Sequence, residues 1–122
     1  MEYLTNYWWL ILIIISLLIL IFRFFNNLKK RNSIKEFIND NAIIIDVRSE
    51  SEFNSGHIKN SINIPLKDLM YNIKDLNKED KYITVCAMGM RAESARKFFY
   101  KKGYKVVNGG SWSDLKELNI NQ

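Results

Sequence analysis

Lys81-Tyr82-Ile83-Thr84-Val85-Cys86-Ala87-Met88-Gly89-Met90-Arg91-Ala92 is the stretch on which the reading of this chain turns. Residues 81–85 are β-branched and aromatic in the main, and they predict a buried strand that Cys86 closes. Four residues separate Cys86 from Arg91. Residues 91–102 then have helical spacing, with Ala95, Phe98 and Phe99 on one side and Gly103 placed to end the helix. A cysteine at the carboxyl end of a strand, facing a short loop and a helix start, occupies the position where open α/β sheets bind ligands. Loop amides can converge on one point there, and the helix start adds partial positive charge. Arg91 adds a full charge and a forked donor. All three favour an anion, a thiolate included, which makes Cys86 the candidate nucleophile.

Each residue also has a plainer reading. A lone cysteine after Ile83-Thr84-Val85 suits a small buried hydrophobe, Arg91 suits a solvated helix face, and Met88 and Met90 suit packing. From spacing alone the two readings stand level.

Working outward, Ala42-Ile43-Ile44-Ile45 is a β-branched run ending at Asp46, as expected of a strand buried on both faces. Ser49-Glu50-Ser51-Glu52 is a capping box that opens a helical turn around Phe53, closed by Gly56. Ser61 to Ile64 predicts a short strand ended by Pro65. Leu66 to Ile73 predicts a helix with Leu66, Leu69, Met70 and Ile73 on one face. Lys105 to Asn108 predicts the last strand, Gly109-Gly110 a turn, and Ser111 to Leu118 a final helix. A second capping box, Ser33-Ile34-Lys35-Glu36, predicts a helix start with Phe37 and Ile38 on its buried side. Strands alternating with helices imply a small, mostly parallel sheet flanked by helices.

The N-terminal quarter is different in kind. Tyr7-Trp8-Trp9 leads into an apolar run from Leu10 to Phe22 broken only by Ser16, followed by Arg23, Phe24 and Phe25. At about 1.5 Å per residue, 7–25 spans roughly 28 Å, close to the hydrocarbon thickness of a bilayer. The residues before the run hold Glu2 and no Lys or Arg, and no A-x-A site follows, unlike a secretory leader. An all-round apolar face also argues against a core helix. The net charge of +5 is concentrated beside this run, at Lys29, Lys30, Arg31 and Lys35. Residues 36–122 hold thirteen Lys/Arg against twelve Asp/Glu. The basic excess is therefore a juxtamembrane flank, not a nucleic-acid footprint. The expectation is a transmembrane anchor in 1–28, a polar linker over Asn26 to Asn32, and a domain in 29–122. By the positive-inside rule that domain lies in the cytoplasm of a single-pass cell-membrane protein. Cys86 is the only cysteine, so no intramolecular disulfide or cysteine-rich zinc site can form.

Several separated motifs resemble the rhodanese family. Ile45-Asp46-Val47-Arg48, Glu52-Phe53, Gly56-His57-Ile58 and Asn63-Ile64-Pro65 look like its first signature. The loop Cys86 to Arg91, then Gly103-Tyr104 and Asn108-Gly109-Gly110 with Trp112, resembles its second half in the same order. The resemblance covers about Ser33 to Leu118. It implies the rhodanese fold preceded by one transmembrane helix, with Cys86 as a persulfide residue that accepts sulfane sulfur. It also implies an anion-binding loop of Ala87, Met88, Gly89, Met90 and Arg91, with no cofactor or metal. The donor would be thiosulfate or a protein persulfide, and the acceptor a thiol or cyanide. Asp46 ends a strand, where it could act as a base, but the resemblance gives it instead a supporting, structural hydrogen-bonding role with nearby loops. Arg48 is expected to pair with Asp46 or Glu52.

Four residues between Cys86 and Arg91 make a tighter loop than the five of related phosphatases, favouring sulfur over a tetrahedral oxyanion. Two features depart from the family pattern. Ala92 and Glu93 stand where a serine often follows the loop arginine, and Met88 and Met90 make the rim apolar. Both point to a protein persulfide as a better donor than free thiosulfate. His57, the only histidine, is not expected to form a dyad with Cys86, because a favoured thiolate needs no base. Trp112 is expected in the core or rim. The competing function is a membrane-tethered binding module without turnover, in which Cys86 is incidental.

Overall fold

The two β-branched runs become the centre of a four-stranded sheet. In the computed structural model, which describes residues 2–120, β1 (Ile43–Asp46) and β3 (Lys81–Cys86) lie side by side. β2 (Ile62–Asn63) flanks β1, and β4 (Lys105–Ser111) flanks β3. The order is β2-β1-β3-β4 and every pair is parallel. The helices are α1 (Glu2–Thr5), α2 (Trp8–Asn39), α3 (Glu50–Asn54), α4 (Leu69–Asn72), α5 (Met90–Lys101) and α6 (Trp112–Ile120).

Strand alternation sorts the core into two layers. Ile45, Tyr82 and Cys86 face one layer with Leu69, Ile73, Ala92, Ala95, Phe99 and Tyr104. Ile44, Ile83 and Val85 face the other with Ile34, Ile58 and Leu115, with Phe37, Ile38 and Trp112 packed against it. Burying these side chains from both faces is the main source of stability, at about 1.5–3 kcal/mol for each large aliphatic or aromatic group. The strand parity has a consequence for the site: Tyr82, Thr84 and Cys86 share one side, so Cys86 opens toward α5.

The chain divides into two compact units, Met1–Asn32 and Ser33–Gln122. The first contains most of α2, the one helix among the described residues long and apolar enough to cross a membrane. Its side chains from Tyr7 to Phe25 are exposed.

Four expectations are corrected. The linker over 26–32 and the helix start at Ser33 are both interior to α2, which runs unbroken from Trp8 to Asn39. Neither Gly nor Pro occurs in that range, and Leu28, Lys29, Lys30 and Arg31 are good helix formers, so polarity alone does not stop the helix. The helix expected over 66–73 is split into a 3-10 turn (Leu66–Asp68), α4 and a second 3-10 turn (Ile73–Asp75). This winding leaves Met70 70% exposed while Leu69 and Ile73 stay buried. Gly109-Gly110 is not a turn. Both glycines lie within β4, where a bulge opposite Thr84 and Val85 shifts the register so that Val85 pairs with Gly110. Gly109 fits because a Cβ there would lie 2.7 Å from Ile83 Cγ2 and 3.0 Å from Val85 Cγ1.

Candidate active site

Cys86 ends β3 at the bottom of a loop, and its residue is 1% exposed. Its Sγ accepts hydrogen bonds from the Gly89 N–H at 2.9 Å and the Ala92 N–H at 3.4 Å. The sulfur therefore sits in the core layer but points at backbone donors. The loop can curl this tightly because Gly89 takes φ 102°, a conformation that side chains resist, as N-cap of α5. A Cβ on Gly89 would also stand 3.3 Å from Gly110 Cα, so the β4 bulge backs the loop directly.

Two buried polar side chains hold the loop, and neither is among the site residues expected from the sequence. Thr84 Oγ1 donates to the Ala92 carbonyl at 2.9 Å, fixing the first turn of α5 against the strand. Asn108 Nδ2 donates to the Gly89 carbonyl at 3.2 Å and to Glu93 Oε2 at 3.0 Å. Asn108 Oδ1 accepts from the Gly110 N–H at 2.7 Å. The signal for Thr84 was its parity with Cys86 on the strand. For Asn108 it was an amide directly before two glycines. The expected loop donors were the amides of 87–91, and the Ala92 N–H lies one residue beyond them.

Met88 and Met90 form an exposed apolar rim, 88% and 83% exposed. Glu93 does not point its charge at the sulfur unpaired: Arg96 donates to it at 2.9 and 2.7 Å, and these bonds hold its carboxyl down at about 2.

Arg91 is turned sideways. Its two terminal nitrogens donate to Glu52 Oε1 at 2.8 Å and Oε2 at 3.0 Å, a bidentate pair joining α5 to α3. The bond from Arg91 holds the Glu52 carboxyl down at about 2, and Glu52 raises Arg91 in turn, with nearby Cys86 and Asp46 adding to the rise. Glu52 is steadied by its own capping box, accepting from Ser49 Oγ at 3.0 Å and the Ser49 N–H at 3.3 Å.

Asp46 and Arg48 form a buried pair at the end of β1. Arg48 Nη2 meets Asp46 Oδ2 at 2.8 Å, and its Nε donates to both carboxylate oxygens. The same guanidinium donates to the Glu52 carbonyl at 3.2 Å and the Gly56 carbonyl at 2.7 Å, and lies 4.6 Å from the centre of the Trp112 ring. Of the two expected partners, Asp46 thus supplies the carboxylate and Glu52 only a backbone oxygen. With its carboxylate occupied this way, Asp46 is a structural anchor. Asn63 ties the neighbouring strand in by donating to the Asp46 and Arg48 carbonyls at 3.0 and 2.9 Å. His57 stacks on Phe53 at 3.7 Å, and its Nδ1 contacts the Phe53 carbonyl at 2.8 Å.

The profile of the rhodanese-like domain matches residues 30–117. The chain belongs to the rhodanese-like family. Among its relatives, a tRNA sulfurtransferase of Thermoplasma acidophilum is 36% identical over 85 residues, covering 70% of this chain and 17% of the relative. The Bacillus subtilis protein YtwF, whose name assigns it provisionally to the sulfurtransferases, is 31% identical over 78 residues, covering 62% of this chain and 76% of YtwF. The crystal structure of a rhodanese-related protein from Thermoplasma volcanium superposes with a TM-score of 0.58 at 32% identity, over 63% of this chain and 77% of that one. The chain thus spans under a fifth of the first relative and about three quarters of the second. The four-stranded parallel sheet flanked by helices is the rhodanese-like α/β fold, and the relatives support a role of the sulfur-transfer type.

Proposed function

We propose that this protein is a sulfurtransferase that carries sulfane sulfur as a persulfide on Cys86 and delivers it to a thiol or cyanide. The observation that carries the reading is the Gly89 N–H aimed at Cys86 Sγ at 2.9 Å, supported by Ala92 from the first turn of α5. Donors directed at a sulfur stabilise its anionic form, the attacking species. The thiolate attacks the sulfane sulfur of thiosulfate or a protein persulfide. The donor S–S bond breaks, sulfite or a thiolate departs, and the outer sulfur remains in the loop of Ala87, Met88, Gly89, Met90 and Arg91. A second thiolate then takes that sulfur and regenerates Cys86. Asp46 and Arg48 have a supporting, structural role. The exposed methionines at 88 and 90 favour a protein surface as donor or acceptor over a small charged molecule.

The apolar part of α2, with Lys29, Lys30 and Arg31 following it, supports a single-pass anchor through 7–25 that keeps the domain of residues 29–122 on the cytoplasmic side. The test is intact-mass spectrometry of the full chain in detergent after incubation with a sulfur donor. One added sulfur atom, absent in Cys86→Ser, is the expected result. No gain with thiosulfate or with any persulfide leaves a tethered binding module as the function.

A further inference from the structure

The four residues between Cys86 and Arg91 carry no charge, so the arginines framing the site decide what anion it attracts. Each of those arginines is matched. Arg48 pairs with Asp46, Arg96 with Glu93, and Arg91 with Glu52. All three pairs are bidentate, but only the Arg91 pair belongs to the loop itself, and it engages both terminal nitrogens of that arginine. Glu52 cannot swing freely away, since Ser49 binds it from behind through Oγ and N–H. Its carboxyl, held at about 2, stays negative through the whole physiological range.

A dianion approaching Cys86 therefore meets a guanidinium whose charge is cancelled and whose fork is taken. It is also repelled by the Glu52 carboxylate. A hydropersulfide, which brings at most one negative charge against the two of thiosulfate, is opposed far less. The pair is more than a third exposed, so its own contribution to stability is small. Charge cancellation does not depend on that contribution. Resting on the sulfur-carrier reading above, we infer that Glu52 is a specificity-determining residue that turns the site toward hydropersulfide donors, with at most one charge on the sulfur, and away from the thiosulfate dianion.

The favoured step balances without any further reactant. Cys86 Sγ, as thiolate, attacks the terminal sulfur of R–S–SH, and the donor S–S bond breaks. The electron pair leaves on RS⁻, and the proton stays on the transferred sulfur as Cys86–S–SH. With thiosulfate the same attack expels sulfite, so a dianion is present at the site at both ends of the step.

The test compares initial rates of sulfur gain on Cys86 in the full chain in nonionic detergent. The donors are thiosulfate and the hydropersulfide of N-acetylcysteine methyl ester, which has no charged group besides the sulfur. Glu52→Gln keeps the capping box, because Gln serves at that position as well as Glu. The expected result is a rise of about tenfold in the thiosulfate-to-hydropersulfide rate ratio, as follows from removing one unit charge beside a dianion. The rise should vanish when Arg91→Met is added, and shrink between low and ~1 M salt. A ratio within about twofold of the unmodified protein overturns the inference, as does a rise that survives Arg91→Met or high salt. A measurement on the unmodified protein guards against a folding defect in the variant. There the same ratio should change by less than about twofold across that salt range, and a steep fall overturns the inference. Sulfur gain from both donors with an unmoved ratio refutes only the role of Glu52. No gain from either refutes the sulfur-carrier reading itself.

Discussion

Replacing Gly89 by alanine tests the site at the point where backbone strain and sulfur binding meet. The native φ of 102° is accessible to glycine but costs another residue about 1–3 kcal/mol. The new Cβ would stand 3.3 Å from Gly110 Cα, in a bulge that cannot retreat easily because Gly109 is packed against Ile83 and Val85. Set against this, alanine stiffens the unfolded chain and recovers about 0.4–1 kcal/mol. A net loss of about 1–2 kcal/mol should lower the melting temperature of the domain by roughly 4–16 °C, read by circular dichroism. The functional effect should be the larger one. Rotating the 89 peptide withdraws the N–H now 2.9 Å from Cys86 Sγ. A hydrogen bond to a charged group is worth about 1.5–3 kcal/mol, so persulfide formation should slow by roughly 10–100-fold. The assay is the rate of sulfur gain on Cys86, measured well below the melting temperature. If Gly89→Ala loads sulfur at the native rate while losing stability as expected, the Gly89 N–H has no part in the chemistry and the argument for the loop fails.

Asp46→Asn should destabilise the domain by about 3–5 kcal/mol in urea unfolding, because it leaves the Arg48 charge buried without its counter-ion. Gly109→Ala, by contrast, should act through overpacking, costing about 1–3 kcal/mol, since its Cβ would lie 2.7 Å from Ile83 Cγ2. The acid limb of stability should depend on Glu93. Its folded carboxyl is held at about 2 by the bonds from Arg96, below its ordinary value of 4.5. That contribution is complete above about pH 4.5 and disappears as pH falls toward 2. Glu93→Gln should make the fall of melting temperature over this window shallower, with Glu52 supplying the remainder, and an unchanged slope would show that the Glu93 carboxyl is not held down in the fold.

Much of the fold was legible because it rests on local chemistry. Three β-branched residues before Asp46 and the aliphatic run before Cys86 can satisfy their pattern only between two helical layers, and the 3.6-residue spacing of Ala95 and Phe99 shows which face of α5 is buried. Where sequence and structure part, composition and glycine content do not by themselves fix a helix end or a turn. Polar residues at 26–32 suggested a break, yet a helix stops for Gly, Pro or a competing cap, and Ser33 did not outcompete continuation of α2. Gly109-Gly110 suggested a turn because glycine serves turns and close packing alike, and only the neighbours Ile83, Val85 and Leu115 distinguish the two. At the site, the position of Cys86 before a short loop and a helix was visible in the sequence. The hold of Glu52 on Arg91 was not, because it joins residues 39 positions apart and depends on how α3 and α5 are set around the sheet. Asn108 reaches Gly89 across 19 positions for the same reason.

The depth of Cys86 affects which form of the protein the surroundings can touch. A thiol this recessed offers oxidants and alkylating agents little surface, so the empty protein is protected against the sulfinic and sulfonic end products from which a cysteine does not return. Adding a sulfur moves the reactive atom outward by about 2 Å, one S–S bond length. On the proposed function, the sulfur-loaded and empty forms would therefore differ in reach as well as in cargo, and an acceptor at the methionine rim would sense occupancy by depth alone.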